Sequence, residues 1–301
     1  MDISEQLKTA MKELQKLTNL PLELSISEES DAEELLIRLQ ALSSAYKDAN
    51  NKEVILRRFL TNDISEEEFY SFAERMNFDR EEKRGIFLIE LKHEITDDVI
   101  TVLKNMIHDA SSWIIPFHNN QLIIILRFSK RREYSISEKA YEILDTLNTE
   151  LMEEVKISHS RFTDLIDQLP DAYQKAYLAL QIGHIFYPDR TIYDYDKMEV
   201  GYLLYGLSED ICKEYIRIHL GSQYLTEESS IFQTDILQTA NCFLKNNLNI
   251  AETARQLHIH RNTLLYRLEQ IQNESGLDIR KFEHAMTYKL RSMILLYLKF
   301  H

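Results

Sequence analysis

The 301-residue sequence is poor in residues that break or staple a chain: six glycines, four prolines, two cysteines and one tryptophan. So little glycine and proline leaves few tight turns, and with abundant Leu, Glu, Lys and Ala the composition favours helices. Cys212 and Cys242 stand far apart and outside any CxxC pattern. That spacing argues against a disulfide framework or a thiolate zinc site, and two thiols in a reducing cytoplasm is the simpler reading. No apolar run approaches the roughly 18 residues that cross a bilayer. The opening Met1-Asp2-Ile3-Ser4-Glu5 is acidic and lacks the basic and apolar segments of a secretion signal. The expectation is a cytoplasmic chain with no membrane partner. GxGxxG and HExxH strings are also absent, and the nearest approach to a P-loop, Gly201 with Gly206, runs into Leu207-Ser208 with no lysine.

What is present is ordinary for a globular protein, 44% apolar and 28% charged residues, in a chain long enough for two or three domains. The net charge of −14 argues at first against a nucleic-acid partner. The average conceals an asymmetry. From Lys245 to His301 nine basic residues face five acidic ones, a net +4, so the other 244 residues carry −18. A small basic module on an acidic body fits a DNA reader attached to a separate sensing part, although charge alone decides little.

The first eighty residues read as helical. Leu7, Met11, Leu14 and Leu17 follow helical spacing up to a break at Asn19-Leu20-Pro21, and Leu22 to Ile26 alternates like a short strand. Asp31 is placed to cap a second helix carrying Leu35, Leu36, Leu39 and Leu42. These stripes are candidates for core and, with little beside them in sequence, for a dimer contact. Asn51 to Leu60 and Ser65 to Met76 read as further helices, the latter with a Ser65/Glu68 capping box. From Gly85 the pattern changes. Strands are expected at Gly85–Leu91, Ser112–Phe117, Gln121–Phe128 and Val155–Ser158, the middle two joined at Asn119-Asn120. Helices are expected at Asp97–Ala110, Ser137–Glu153 and Leu169–Gly183, with an edge strand near Thr191–Tyr195. That order describes a split βαβ arrangement with helices on one face of its sheet. From Met198 the chain is helical again. The fold class is α+β, mostly α, divided as a helical region 1–82, an α/β domain 83–200, and an all-α domain 201–301 with its key motif at about 234–275.

That motif begins with a supporting helix, Thr234 to Asn246, presenting Ile236, Leu237, Ala240 and Phe243-Leu244. Asn249 sits at an N-cap position before Ile250–Leu257, and Glu252 completes an Asn-based capping box. Ala251 and Ala254 are small enough for a close helix crossing. After His258-Ile259-His260, a second helix runs from Arg261 to Ile271, with Leu264, Leu268 and Ile271 on one face. Ala254, Leu257, Leu264, Leu268 and Ile271 form the expected core. Arg261, Asn262, Thr263, Tyr266 and Arg267 remain on the other face, near the helix N-terminus. Arg and Asn can bond purine edges in a bidentate way, Thr, Tyr and Arg can bond phosphates, and the first turns of such a helix enter the major groove. Its N-terminus also offers free N–H groups and partial positive charge. Lys245, Thr253 and His260 are expected to contact the DNA backbone.

Two short helices with polar outer faces are common in helical proteins, so the specific string matters. Asn249-Ile250, Thr253-Ala254, Leu257, Ile259-His260-Arg261-Asn262-Thr263-Leu264-Leu265-Tyr266-Arg267-Leu268, then Ile271 and Gly276-Leu277-Asp278, resembles the C-terminal helix-turn-helix of the PucR/CdaR regulators of purine catabolism and sugar-diacid use. Upstream, Ser160-Arg161-Phe162, Ala172-Tyr173, Ala176, Ala179-Leu180, Tyr193, Tyr195 and Gly201-Tyr202-Leu203-Leu204 resemble the GGDEF-like middle domain of many such regulators. No GGDEF or GGEEF string occurs, so the resemblance implies a degenerate domain without cyclase chemistry. The first eighty residues match no ligand-binding domain.

Other candidate sites weigh less. His258 and His260 lack a third ligand and read as capping and phosphate-contact residues rather than a metal pair. Asp194 and Asp196 read as a solvated loop. His93, His108 and His118 accompany no nucleophile at motif spacing. Trp113 and the tyrosines read as core and interface, with an aromatic effector pocket left open. The expected protein is a non-enzymatic, effector-responsive transcription regulator without cofactor or metal, binding double-stranded DNA as a homodimer and responding to a small-molecule effector of unknown identity. Dimerisation follows because one helix-turn-helix buries too little DNA surface for tight specific binding. The alternatives are a metabolite- or nucleotide-binding signalling protein with a vestigial DNA module, and a residual nucleotide-turning enzyme.

Overall fold

A computed structural model describes residues 3–18, 32–50, 52–75, 79–107, 112–128, 135–221 and 234–300. The chain divides into two compact units, Met1–Tyr177 and Leu178–His301. The strand read at Leu22–Ile26 and the cap at Asp31 lie outside the described residues.

In the first unit, α1 (Ile3–Thr18) and α2 (Ala32–Asn50) form a helical pair. Leu7, Ala10 and Leu14 close on Leu39, with Met11, Leu35 and Leu36 packed at the margin. Much of the apolar stripe considered for a dimer contact is therefore consumed within the chain, while Leu42 stays exposed. Helices α3 (Lys52–Leu60) and α4 (Glu66–Arg75) follow, joined by stacked Phe59 and Phe69 rings 3.6 Å apart. The Ser65 hydroxyl accepts a hydrogen bond from the Glu68 N–H, satisfying an otherwise orphan donor at the start of α4.

The sheet strands of this unit are β1 (Arg84–Leu91), β2 (Trp113–His118), β3 (Gln121–Arg127) and β4 (Val155–His159), in the order β2-β3-β1-β4. β1 lies between two antiparallel neighbours, pairing Leu88 with Ile123 of β3 and with Ser158 of β4. Helices α5 (Asp97–Met106) and α6 (Ile136–Leu151) connect the strands, each capped by a hydroxyl, Thr96 and Ser135. The sequence reading placed helices on one face only. The structure differs: Ile86, Phe87, Leu88 and Ile89 alternate across the pleat and none is more than 1% exposed, so both faces of β1 are covered. Arg57 of α3 and Tyr173 of α7 (Leu169–Phe186) both lie against Phe117 of β2, so helices from outside the βαβ motif also pack on the sheet.

The second unit takes the end of α7, the short strand β5 (Ile192–Asp194), α8 (Glu199–Tyr205), α9 (Glu209–His219), α10 (Thr234–Lys245), α11 (Ile250–Gln256), α12 (Arg261–Ser275) and α13 (Phe282–Phe300). The Tyr193 side chain is fully buried with its ring on Gly183 of α7, where any β-carbon would overlap it. Gly183→Ala is accordingly expected to destabilise this unit by about 1–3 kcal/mol through overpacking. Thermal unfolding of the full chain checks this, and an unchanged midpoint would mean that Tyr193 can move aside. At the other end, Tyr297 of α13 donates a hydrogen bond to the Leu207 carbonyl at 3.0 Å and stacks near Phe186. Cys212 and Cys242 are free and buried, and burial pushes both thiols up, away from reactive thiolate. No described helix is long and apolar enough to cross a membrane.

Candidate DNA-binding site

α10, α11 and α12 enclose a core of their own. Ile236, Ala240 and Phe243 of α10 meet Ala254 of α11 and Leu264, Leu268 and Ile271 of α12, with Ile279, Ala285 and Tyr288 closing it. Leu257 packs at its edge. The apolar period of α12 thus decides which side of the helix faces inward. α12 ends at Gly276, whose φ of +72° is the left-handed conformation glycine adopts without steric cost.

The turn between α11 and α12 is held by backbone and by one imidazole. His258 adopts a positive φ of 53°, and the Ile259 N–H donates to the Ala254 carbonyl. His260 caps α12, its Nδ1 accepting a hydrogen bond from the Asn262 N–H at 3.2 Å. With Nδ1 engaged in the cap, Nε2 is the ring's remaining polar atom. At α11, the Asn249 side chain accepts from the Glu252 N–H at 3.1 Å, as the capping pattern requires. The reciprocal half of that box does not form. Glu252 is instead gripped by Arg255 at 2.6 and 2.8 Å, and the Asn249 N–H donates to the Asn246 carbonyl.

Beyond this cap, Arg261, Asn262 and Thr263 are exposed in succession and Tyr266 is 60% exposed one turn later. The first turn of α12 holds no acidic residue. A positive side chain, an amide and a hydroxyl therefore surround a helix N-terminus whose free N–H groups attract anions.

Three expected contact residues are placed differently. Thr253 is fully buried; its hydroxyl donates to the Asn249 carbonyl at 2.7 Å and accepts from the Asn246 amide at 3.4 Å. It braces α11 from inside. Arg267 leaves the outer face and folds onto α10, donating to Thr239 Oγ1 at 3.1 Å and approaching Asp235 at 3.5 Å. A long guanidinium stem two turns into the helix reaches the neighbouring helix as readily as solvent. Lys245 is ion-paired with Asp189 at 3.0 Å, an exposed contact of small energetic weight.

Sequence reasoning missed the polar ties beneath this surface. Asn246 donates to Gln256 at 2.8 Å as well as to Thr253, linking the end of α10 to α11. Thr239, also fully buried, returns its hydroxyl proton to the Asp235 carbonyl while receiving Arg267. The only sequence signal was polar residues at buried spacing in α10. Arg267→Ala is expected to cost about 1 kcal/mol of stability without any DNA present, because it removes a charged donor from Thr239. Urea unfolding of the full chain measures it; no loss would mean the contact is incidental.

The chain matches the PucR C-terminal helix-turn-helix domain over residues 236–293 and a GGDEF-like domain over residues 61–182. It is 35% identical over 126 residues to the purine catabolism regulatory protein of Bacillus subtilis strain 168, covering 42% of this chain and 23% of that protein. The proline-responsive transcriptional activator PutR of the same strain is 23% identical over 261 residues, 83% of this chain and 62% of PutR. The chain therefore spans less than two thirds of either regulator. Among solved structures, a regulator of polyketide synthase expression from Bifidobacterium adolescentis superposes with a TM-score of 0.40 at 14% identity, covering 85% of this chain and 94% of that one.

Proposed function

We propose that this chain, a transcription regulator of the PucR type, binds a two-fold operator as a homodimer by inserting the first two turns of α12 into successive major grooves. The observation that supports this reading is the division of α12 into a fully buried Leu264–Leu268–Ile271 face and an exposed Arg261–Asn262–Thr263–Tyr266 face. Arg261 and Asn262 read base edges, and Thr263, Tyr266 and His260 Nε2 bond phosphates. Arg267 joins them only after leaving Asp235 and Thr239, and Lys245 only after leaving Asp189. The net +4 of the segment from Lys245 onward provides local attraction on an otherwise acidic chain.

In this proposal the protein acts in the cytoplasm as a regulator and turns over no nucleotide. The helical region and the GGDEF-like domain carry the dimer contact and the effector response. A gel-shift titration against genomic fragments tests it. Binding is expected to weaken about a thousandfold or more between 50 and 200 mM salt, as roughly six to ten phosphate contacts would require. Failure to bind any fragment, with a small ligand still bound, would instead favour a signalling protein with a vestigial DNA module. GTP hydrolysis at high protein concentration would overturn the non-enzymatic reading.

A further inference from the structure

Within the second unit lies a cavity of about 860 Å³ between the end of α10, α13 and the segment that follows α7. Its size falls in the range of small-molecule sites. The walls are mainly apolar, with Tyr187, Leu237, Leu244, Met286 and Met293 among them. Three cations interrupt that lining: Lys289 of α13, Lys245 of α10, and Arg190 after α7. A single carboxylate, Asp189, also lines the cavity, and it is engaged by Lys245. Arg190 lies over the Tyr187 ring at 4.2 Å. Lys289 has no carboxylate within ion-pair distance among the described residues.

Lys289, Lys245 and Arg190 line this apolar site with one carboxylate among them, so the lining is cationic on balance. Burial, followed by the like charges of Lys245 and Arg190, holds the Lys289 ammonium below its ordinary value. An anion would relieve both costs, whereas a neutral or cationic guest would relieve neither.

We propose that this cavity binds a small amphipathic organic anion, its apolar body against Leu237, Leu244, Met286 and Met293 and its acid group at Lys289. The site shares α10 with the DNA-binding core. Leu237, Asn241 and Leu244 of α10 face the cavity, Ile236, Ala240 and Phe243 face the helix-turn-helix core, and Asp235 and Thr239 hold Arg267. The site itself does not rest on the DNA-binding reading; only its regulatory use would.

The test uses the full chain and two fluorescent dyes sharing one aromatic body. 8-Anilinonaphthalene-1-sulfonate carries an acid group, and N-phenyl-1-naphthylamine does not. Both are expected to bind the unaltered protein. Lys289→Met is expected to weaken the sulfonate on the order of tenfold, as loss of one charge-assisted contact would, and to leave the neutral dye within about twofold. Lys289→Arg is expected to keep sulfonate affinity, while Met286→Trp fills the cavity and removes both dyes. Unchanged sulfonate binding in Lys289→Met would overturn the proposal, as would equal loss of both dyes in that variant. Binding that survives Met286→Trp would place the dyes elsewhere and overturn it. Absence of any dye binding would mean that the cavity is filled by the chain itself or by a second copy, which also overturns it. None of these readouts involves DNA, so failure here is distinguishable from failure of the operator titration.

Discussion

Replacing Arg261 and Asn262 together by alanine is expected to lower affinity for a specific operator about 100-fold or more while leaving the fold intact. Each bidentate contact to a base edge contributes about 1–3 kcal/mol of discrimination, and about 1.4 kcal/mol is a factor of ten. Both side chains are exposed, and neither is part of the cap beneath them, which joins the His260 ring to the Asn262 backbone N–H. Surface substitutions of this kind change stability by about 0.5 kcal/mol or less. The unfolding curve should therefore superpose on that of the parent protein. Competition gel shifts with operator and random DNA measure the effect. Specific binding should collapse towards the non-specific level, with a smaller change in the salt slope because most phosphate contacts remain. Equal losses on operator and random DNA would show that these residues hold the backbone rather than read bases. No loss at all would remove α12 from the interface.

The second large effect is expected from Leu264→Ala. Leu264 is fully buried in the α10–α11–α12 core, in the same cluster as Phe243 and Leu268. Truncating a buried leucine costs about 2–5 kcal/mol, the transfer term plus the cavity left behind. Domains are stable by only about 5–15 kcal/mol, so a substantial part of the stability of this unit would go. Urea unfolding followed by amide hydrogen exchange at α11 and α12 would locate the loss. DNA binding should fail in proportion to the unfolded fraction and recover at low temperature or with excess operator, because ligand binding favours the folded state. That recovery separates it from the Arg261/Asn262 variant, which is folded but unable to read. A Leu264→Ala protein as stable as its parent would mean that the neighbouring side chains collapse into the space.

Much of this architecture was legible from local pattern. The helical period assigned Leu264, Leu268 and Ile271 to the core and left Arg261, Asn262, Thr263, Tyr266 and Arg267 on the other face, where the first four are exposed. Hydroxyl and amide residues before apolar runs marked helix starts, as the caps at Ser65 and Asn249 bear out. Asn119-Asn120 separated two strands that do pair as a hairpin, with Ile114 beside Ile124. These features involve residues within a turn or two of each other, so their geometry is nearly a property of the segment.

The remainder depended on partners distant in sequence. Whether one or both faces of β1 are covered depends on elements distant in sequence, and an apolar run reads the same in either case. The buried position of Thr253 follows from Asn246 seven residues away across a turn, not from its place on α11. Arg267 is the clearest instance. Its spacing on α12 is that of a reading residue, yet a flexible stem and an acceptor pair at Asp235 and Thr239, about thirty residues upstream, draw it back onto α10. The cavity beside Lys289 is likewise an interval between three elements and belongs to none of them. Taken alone, the sequence determined which faces are apolar and where helices begin. Only the tertiary structure decided where long polar side chains end, because their energy depends on which partner lies within reach, and spacing along one element carries no record of that.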